Sequence, residues 1–395
     1  MTAVGGSVAK GYERVRDAFA QGQAGDRGGA QLCVYRRGEI VVDLWAGRDI
    51  VSDRPYTADT LTVLMSCTKA AAALCAHMLA ERGLLDLDAP VARYWPGFGK
   101  NGKDEVRVSH ILSHSSGLFG FDPECGIDAA KVLDWDACKS ALEAMSPQWA
   151  PGTAYLYHFY TYGTLLGEVV RGACGKTIAA FFADEVAVPL GLDMWMGLPE
   201  SEEHRIAPHF RSNAAFTEEQ LVATFSGLGF DVGSRLLRAL IDTMVTTEAL
   251  IALLATRPGR AAVVPAANAV GNARALARMY SACIVETGGV RLVTDETLAR
   301  ACVPRTDHLL GPPPLTARTG APQRFALGFE LPRATVPMLG EGSFGHPGAG
   351  GRYGFAHPEK GFAVGYVCNN LVWDGQNPDP RWVGWNAALR EIADA

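Results

Sequence analysis

The segment Ser66-Cys67-Thr68-Lys69 carries the pair of side chains in this sequence whose types and spacing best suit chemistry. If the segment begins a helix, Ser66 and Lys69 lie nearly one turn apart on the same face, so the hydroxyl and the amine can form a hydrogen bond. A lysine in a desolvated pocket can lose its proton near neutral pH and act as a base toward the hydroxyl. The helix N-terminus adds free N–H groups beside any oxyanion formed there. The segment therefore predicts nucleophilic catalysis by Ser66.

The same motif has a structural alternative, in which Ser66 only caps the helix and Lys69 is solvated. A second copy, Ser7-Val8-Ala9-Lys10, lies in a polar N-terminal segment, and we interpret it as a chance occurrence. The copy at Ser66 differs because apolar residues 61–65 precede it and an alanine-rich run follows it. This context predicts that both side chains are partly buried, but the motif alone leaves catalysis and capping open.

A second candidate segment, residues 151–163, carries four tyrosines between a Pro-Gly turn and a predicted helix. A phenol in a cleft near two cations would have a lowered pKa and could relay a proton. We select Tyr157 for this role. The alternative is that Tyr155, Tyr157, Tyr160 and Tyr162 only pack against their neighbours.

A third candidate segment is Gly345-His346-Pro347-Gly348-Ala349-Gly350-Gly351, just before a β-rich run. Glycines at the edge of a sheet let the backbone approach a ligand closely, so an N–H group here can be a second oxyanion donor. The alternative is an ordinary glycine-rich turn between two strands.

The elements that must position these segments are strands at both ends of the chain and helices between them. The β-rich runs are residues 31–35, 39–45, 324–330, 353–356 and 361–368. The first two flank Arg36-Arg37-Gly38 and predict a hairpin. The alanine-rich run 70–85 predicts a helix, the chain up to about residue 300 is mostly helical in pattern, and so is the tail after Trp382. We therefore predict one sheet assembled from both termini, with a helical part inserted.

The composition excludes several classes of protein. The 395 residues have a net charge of -6, 48% are hydrophobic and 20% are charged, as expected for a folded enzyme. The net negative charge argues against a nucleic-acid partner, and no apolar stretch is long enough to cross a membrane. The first residues lack the apolar core of a signal peptide, so we expect a cytoplasmic protein.

Cysteine and histidine spacing gives no sign of a metal site. The nine cysteines include no CxxC pair, which favours free thiols over disulfides or structural zinc. His110 and His114 stand one helical turn apart, but the glutamate of a zinc-binding helix is absent. We predict no metal and no cofactor.

Taken in this order, the three segments resemble the serine β-lactamase-like family, which includes class C β-lactamases, penicillin-binding carboxypeptidases and family VIII carboxylesterases. The resemblance extends over residues 59–60, 83–91, 108–118, 151–153 and 344–348. It implies an α+β, β-lactamase/transpeptidase-like fold with an antiparallel sheet flanked by helices. The implied organisation is one catalytic unit over residues 1–395, with an α/β subdomain (about 1–65 and 270–395), a mostly helical subdomain (about 66–269), and the active site in the cleft between them.

The resemblance also implies roles for individual residues. Ser66 would be the nucleophile, Lys69 the general base and Tyr157 the group that shuttles protons, with the backbone N–H groups of Ser66 and Ala349 as the oxyanion hole. Substrate contacts are expected from the residues that surround these motifs, namely His158, Phe159, His346, Gly348 and Gly350.

Two departures from the β-lactamase pattern bear on the substrate. Tyr157-His158-Phe159 stands where Tyr-x-Asn is usual, and His346-Pro347-Gly348 stands where Lys-Thr-Gly is usual. The amide that would hold a β-lactam side chain and the cation that would face its carboxylate are both absent. Both replacements are similar to the esterase and acyltransferase branch of the family.

We therefore predict a serine hydrolase that cleaves esters of small or medium acyl groups through an acyl-Ser66 intermediate, with a small-molecule ester or acyl compound as its partner. Alternatives are transfer of the acyl group to an alcohol or amine, a β-lactamase, and a penicillin-binding-like protein that keeps its adduct. Residues 200–265 match none of the motifs, and their position suggests that they shape the acyl pocket.

Overall fold

The strands predicted near the two ends of the chain lie side by side in one antiparallel sheet. The computed structural model describes residues 3–212, 216–316, 323–373, 375 and 377–395. The strands in these residues are β1 (Val4–Val8), β2 (Gly29–Arg36), β3 (Glu39–Asp49), β4 (Arg54–Pro55), β5 (Thr62–Val63), β6 (Met194–Met196), β7 (Phe210–Arg211), β8 (Ala269–Gly271), β9 (Phe344–Gly348), β10 (Arg352–His357), β11 (Phe362–Cys368) and β12 (Asn370–Leu371).

The helices come mainly from the middle of the chain. They are α1 (Glu13–Gly22), α2 (Cys67–Glu81), α3 (Val108–Leu112), α4 (Trp135–Ala144), α5 (Thr161–Cys174), α6 (Ile178–Phe182), α7 (Val188–Leu190), α8 (Glu218–Gly227), α9 (Arg235–Leu254), α10 (Arg257–Ala261), α11 (Ala273–Ile284), α12 (Asp295–Ala301) and α13 (Pro380–Asp394). The 3₁₀ segments are Val91–Arg93, Pro96–Phe98, Pro123–Cys125, Lys131–Leu133 and Glu200–Arg205, and Ala183–Ala187 is a π-helical turn.

The main sheet has the order β1-β3-β2-β11-β10-β9, with β4 paired to β3. The predicted hairpin is confirmed as β2 and β3, and β2 pairs directly with β11, so that Val34 faces Val364. Strands from the two termini are therefore neighbours, as predicted. The strand β9, at one edge, carries the glycine-rich segment.

Side chains of the sheet alternate between two cores, as the pleat of a strand requires. Leu32 and Val34 of β2 pack with residues of α1 and α13, whereas Cys33 and Tyr35 belong to the larger core that includes α2 and α11. Nearly every residue of α2 is buried. Its alanines leave little room between this helix and its neighbours, which include β9 and α5. The helix that begins after Ser66 is thus fixed against the sheet edge.

One predicted strand is wrong. Residues 324–330 form only isolated bridges, Phe325 with Glu330 and Glu330 with Gly345. Gly328 has a φ of +85°, and a Cβ at this position would lie 2.2 Å from the Cβ of Ala73. The chain therefore turns here instead of extending, because only glycine fits this close approach to α2.

The middle of the chain also contains short strands that its helical pattern does not reveal. The strands β5, β8 and β6 form a small sheet in which Val63 pairs with Val270. This pairing fixes the chain just before Ser66 to the chain just before α11. In the described residues, no helix has both the length and the apolar character needed to cross a membrane.

Candidate active site

Ser66 stands at the N-cap position of α2, where the backbone makes a sharp turn. The preceding residue, Met65, has a φ of +50°, which is uncommon for a residue with a side chain. Thr68 holds this turn, since its backbone N–H and its hydroxyl both donate to the carbonyl of Met65, at 3.0 and 2.6 Å. The Ser66 hydroxyl makes no capping hydrogen bond. The capping alternative is therefore wrong, and the hydroxyl is available to other partners.

Lys69 lies one turn along α2, directly beneath Ser66. Its side chain is 2% exposed, and Nζ lies 3.5 Å from Ser66 Oγ and 3.0 Å from the carbonyl oxygen of Ala266. Burial lowers the pKa of the Lys69 ammonium from 10.5 to about 7. No carboxylate among the described residues restores the charge of Lys69. A large fraction of Lys69 is therefore neutral at physiological pH and can accept a proton.

Tyr157 completes the group around Ser66. Its hydroxyl shares a hydrogen bond with the Ser66 side chain, and Lys69 Nζ lies 4.8 Å from the centre of its ring. The expectation of a lowered pKa is wrong: burial raises the pKa of the Tyr157 hydroxyl above its usual value, and the negative charge of Glu330 raises it further. Only one cation, Lys69, faces the ring among the described residues. Tyr157 thus keeps its proton in the free protein.

His114 holds the loop that carries Tyr157. Its Nδ1 accepts a hydrogen bond from the backbone N–H of His158 at 2.9 Å, and its carbonyl accepts one from Leu156 at 3.1 Å. Its ring lies 4.9 Å from the Tyr157 ring. Burial lowers the pKa of His114 well below its usual value, so the imidazole is neutral and can act as this acceptor. His114 therefore fixes both neighbours of Tyr157.

His158 does not reach the cleft where a substrate contact was expected. It is fully buried, its Nδ1 donates to the carbonyl of Leu156 at 2.8 Å, and its Nε2 accepts from the hydroxyl of Ser116 at 2.6 Å. Burial lowers the pKa of His158 to about 3. Both ring nitrogens are occupied within the fold, which leaves none for a substrate. Phe159, by contrast, lines the cleft.

The two predicted oxyanion donors lie at one wall of the cleft. Ser66 and Ala349 both line the cleft, and neither backbone N–H has an acceptor among the described residues. Orphan N–H groups at the start of a helix and at the end of an edge strand are the kind of donors that stabilise a developing oxyanion.

The loop Ala349-Gly350-Gly351 is held by side chains behind it. Arg352 donates from Nη1 to the carbonyl of Ala349 at 3.2 Å and from Nε to the carbonyl of Val63 at 3.0 Å. This arginine is 0% exposed, and no carboxylate pairs with it in the described part of the chain. A buried unpaired guanidinium is costly. Here it connects the two segments that carry the candidate oxyanion donors.

The next two carbonyls of the same loop are also occupied. Arg381 Nη2 donates to Gly350 at 2.7 Å, and Trp382 Nε1 donates to Gly351 at 2.9 Å. The carboxylate of Asp379 balances the charge of Arg381, with 2.6 Å between Asp379 Oδ2 and Arg381 Nη2. Each carbonyl of the loop therefore has a buried side-chain donor, which restricts its motion.

Gly348 and Gly350 serve packing and not substrate contact, contrary to expectation. A Cβ on Gly348 would lie 2.6 Å from the carbonyl oxygen of Leu64, and one on Gly350 would lie 2.3 Å from Leu371. Neither glycine lines the cleft. Gly348 lets the loop approach the chain before Ser66, and Gly350 lets it approach Leu371 on the other side, so that Ala349 lies between these two close contacts.

His346 lines the cleft in a neutral state. Burial, with a smaller effect of Lys69, lowers its pKa to about 3. Its Nδ1 donates to the carbonyl of Pro347 at 2.7 Å, so Nε2 carries no proton, and Nε2 has no partner among the described residues. This position therefore holds an uncharged imidazole and no cation.

The cleft divides into two pockets that share Ser66, Tyr157 and Ala349. One, which we call the α9 pocket, has a volume of about 50 Å³ and an apolar wall that includes Phe159, Leu250, Ile251 and Leu254. The other, the polar pocket, has a volume of about 370 Å³ and is lined by residues that include Glu330, Arg333, His346 and Trp373. Sequence reasoning missed Glu330 and Arg333, whose Oε1 and Nε lie 2.5 Å apart.

The second S-x-x-K copy lies far from this arrangement. Ser7 belongs to β1 and not to a helix, and both Ser7 and Lys10 are exposed. This position agrees with a chance occurrence. No group of three or more potential metal-ligating side chains occurs in the residues that the structure describes.

Comparison with known proteins gives matches along nearly the whole chain. A family model described as Beta-lactamase matches residues 15–388. The esterase/beta-lactamase LipL of Mycobacterium tuberculosis (strain ATCC 25618 / H37Rv) is 36% identical over 374 residues, which cover 90% of this chain and 80% of LipL. The crystal structure of a family VIII carboxylesterase is 32% identical with a TM-score of 0.79 and covers 99% of this chain and 100% of its own. EstA from Arthrobacter nitroguajacolicus Rue61a is 28% identical with a TM-score of 0.82 and covers 100% of this chain and 99% of its own.

Proposed function

The chain belongs to the Beta-lactamase family, and from this premise we propose that it is a serine hydrolase that cleaves carboxylic esters through an acyl-Ser66 intermediate. The family and the β-lactamase-like fold predicted from the sequence are confirmed by matches that span the chain. Relatives whose names call them esterases, LipL at 36% identity among them, support ester hydrolysis over the alternatives.

The observation that carries the proposal is the buried Lys69 3.5 Å from Ser66 Oγ, with a pKa lowered to about 7. In the first step, Ser66 Oγ attacks the ester carbonyl carbon and its proton passes to neutral Lys69. The carbonyl oxygen becomes an oxyanion, which the N–H groups of Ser66 and Ala349 stabilise. Collapse of this intermediate breaks the bond to the alcohol.

Tyr157 supplies the proton that the leaving alcohol needs. Its raised pKa means that it is a protonated donor in the free enzyme, and its hydroxyl already contacts Ser66. As the phenol gives up its proton to the alkoxide, it takes another from the Lys69 ammonium, so the phenolate does not accumulate. Water then attacks the acyl-Ser66 carbonyl, its proton passes to Lys69, and a proton returns to Ser66 Oγ as the acid leaves.

The cleft favours ester chemistry over β-lactam hydrolysis. Phe159 presents a phenyl ring where an amide would hold a β-lactam side chain, and neutral His346 stands where a cation would meet its carboxylate. We propose correspondingly weak turnover of β-lactams.

We also place the protein in a reducing compartment such as the cytoplasm, because its nine cysteines are all free thiols.

The direct test is hydrolysis of p-nitrophenyl butyrate by the wild type and by Ser66→Ala, with nitrocefin as a parallel substrate. Ser7→Ala is the matched control, because it makes the same substitution in the second copy of the motif. We expect loss of ester turnover in Ser66→Ala alone, and little nitrocefin turnover in any variant. Turnover that survives Ser66→Ala would reject the proposal.

A further inference from the structure

A third pocket, which we call the α2–α12 pocket, lies outside the cleft, between the C-terminal end of α2 and the helix α12. Its volume is about 280 Å³, near the lower end of the roughly 300–1,000 Å³ that is usual for ligand pockets. It shares no lining residue with either pocket of the cleft, so it is a separate site. The residues that line it include Ala80 of α2, Leu84, Asp86, Asp88, Arg300 of α12 and Arg305.

This pocket is positively charged, although the net charge of the protein is -6. Its lining carries three arginines, Arg93, Arg300 and Arg305, and two aspartates, Asp86 and Asp88. The one ion pair among these described side chains joins Arg93 Nη1 to Asp86 Oδ2, at 4.0 Å. Of the lining charges, Arg300, Arg305 and Asp88 then remain. The pocket therefore keeps an excess of positive charge.

Arg305 lacks the partners that an arginine in a folded protein normally has. Its backbone N–H donates to the carbonyl of Phe325 at 2.8 Å, which fixes the residue. Its side-chain Nε is buried and has no hydrogen-bond partner among the described residues, and no ion pair forms with its guanidinium there. A buried donor that is left unpaired costs free energy. An anion in the pocket would give this guanidinium the counter-charge that the fold does not supply.

The walls of the pocket are held in place without a ligand. His77 Nε2 of α2 donates to the carbonyl of Leu327 at 2.7 Å, and the N–H of Leu327 donates to the carbonyl of Ala301 in α12 at 3.0 Å. Glu81 Oε2, at the end of α2, accepts from the backbone N–H and the hydroxyl of Thr294, at 2.8 and 2.9 Å. The two helices are thus joined on both sides of Leu327, and the pocket is preformed, as ligand pockets usually are.

The chemistry of the wall selects the kind of anion. A guanidinium group binds carboxylates and phosphates through paired N–H···O hydrogen bonds. The small excess of positive charge matches a singly charged carboxylate, whereas the second charge of a phosphate would be repelled by Asp86 and Asp88. Leu84 also lines the pocket and is 50% exposed, so an aliphatic tail that covers it would remove apolar surface from water.

We propose that the α2–α12 pocket binds a small monocarboxylate with an aliphatic tail. The carboxylate pairs with the guanidinium groups of Arg305 and Arg300, and the tail covers Leu84. Because this pocket contains no residue of the cleft, the inference does not rest on the proposed ester hydrolysis.

The test is isothermal titration calorimetry of the wild type with hexanoate, hexanamide, hexylamine and inorganic phosphate. The first three probes share an aliphatic chain and differ in the charge of the head group. We expect hexanoate to bind at least about tenfold more tightly than hexanamide, because an ionised head group forms the stronger hydrogen bonds with arginine. Hexylamine and phosphate should both bind more weakly than hexanoate.

Two variants locate the binding site. Arg305→Gln should weaken hexanoate binding about tenfold or more, because it removes a partly buried charge-assisted contact. Arg300→Gln should weaken it about threefold, since Arg300 is exposed and water screens its charge. This exposure also means that Arg300→Gln tests the site if Arg305→Gln fails to fold. Arg390→Gln is the matched control and should bind hexanoate like the wild type, because Arg390 is an exposed arginine of α13 that lines none of the three pockets.

Hexanoate binding that neither Arg305→Gln nor Arg300→Gln weakens would place the ligand elsewhere, such as in the cleft, and would overturn the inference. An absence of hexanoate binding would also overturn it, as would tighter binding of phosphate or hexylamine. Calorimetry requires no turnover, so none of these outcomes depends on whether Ser66 is the nucleophile.

Discussion

The buried Lys69 predicts that removing the amine stabilises the protein while it abolishes turnover. In the unfolded chain a lysine binds its proton with a pKa of 10.5, whereas in the folded protein burial lowers the pKa to about 7. Between these two values the unfolded state binds more protons than the folded state. Wild-type stability should therefore rise with pH through this window.

The size of the effect follows from the two pKa values. One unit of pKa shift corresponds to about 1.36 kcal/mol. Burying the ammonium therefore lowers the free energy of unfolding by about 5 kcal/mol below pH 6, by about 4 kcal/mol at pH 7, and by close to zero above pH 10.5. The substitution Lys69→Met keeps a linear side chain and removes this cost. It also removes the hydrogen bond to the carbonyl of Ala266, at 3.0 Å in the wild type, which costs about 1–3 kcal/mol.

The expected net gain for Lys69→Met at pH 7 is therefore about 1–3 kcal/mol. With an unfolding entropy of about 2.1 cal/mol/K per residue and 395 residues, this corresponds to a rise in Tm of roughly 1–4 °C. The gain should be larger at pH 6 and should change sign by about pH 10, because only the loss of the hydrogen bond then remains.

The assay is calorimetric Tm of the wild type, Lys69→Met and Lys10→Met at pH 6, 7, 8.5 and 10. Lys10 is the exposed lysine of the second motif copy, so its variant should follow the wild type at every pH. A Lys69→Met variant that is less stable than the wild type at pH 6, with a difference that does not change with pH, would refute a desolvated amine and with it the role of Lys69 as a neutral base.

Three further predictions concern turnover of p-nitrophenyl butyrate or, for the proton relay, of ethyl butyrate. The kcat/KM should fall about tenfold per pH unit below about pH 7, because Lys69 then takes up the proton that a base must lack; a flat profile between pH 5 and 7 would contradict this. Tyr157→Phe should lower kcat by about 100- to 10,000-fold toward ethyl butyrate, whose alkoxide needs a proton to leave, with little change in KM or Tm, and full activity of this variant toward that ester would exclude the proton relay. Arg352→Met should lower kcat by about 100-fold with little change in KM, because the carbonyl of Ala349 loses the donor that holds the loop. Arg352→Lys should restore part of this kcat. Equal losses of kcat in both variants, or an unchanged kcat, would exclude a positioning role of Arg352.

Local spacing allowed the fold and part of the site to be predicted. Ser66 and Lys69 are three residues apart on one helix, so their proximity follows from helix geometry alone. The β-rich runs that contain Val34 and Val364 predicted one sheet built from both ends of the chain. These two residues do pair, in neighbouring strands. The strand predicted over residues 324–330 was wrong. The apolar pattern of this segment suits a strand, but Gly328 turns the chain against α2.

Other features depend on contacts between distant segments, which one sequence does not reveal. Arg352 and Val63 are far apart in sequence, yet their hydrogen bond connects the two candidate oxyanion segments. His158 follows Tyr157 directly, but the fold turns its ring inward to Ser116. The expectation that Tyr157 has a lowered pKa assumed two cations, whereas burial dominates in the folded protein.

The central claim is a covalent acyl group on Ser66. The most direct measurement is mass spectrometry of the intact protein and its peptides after rapid acid quench of a reaction with p-nitrophenyl butyrate. We predict one butyryl group, located on the peptide that contains Ser66 and absent from Ser66→Ala. A butyryl group on another residue would contradict the account. So would the absence of any butyryl group on Ser66 at quench times that span the first turnover.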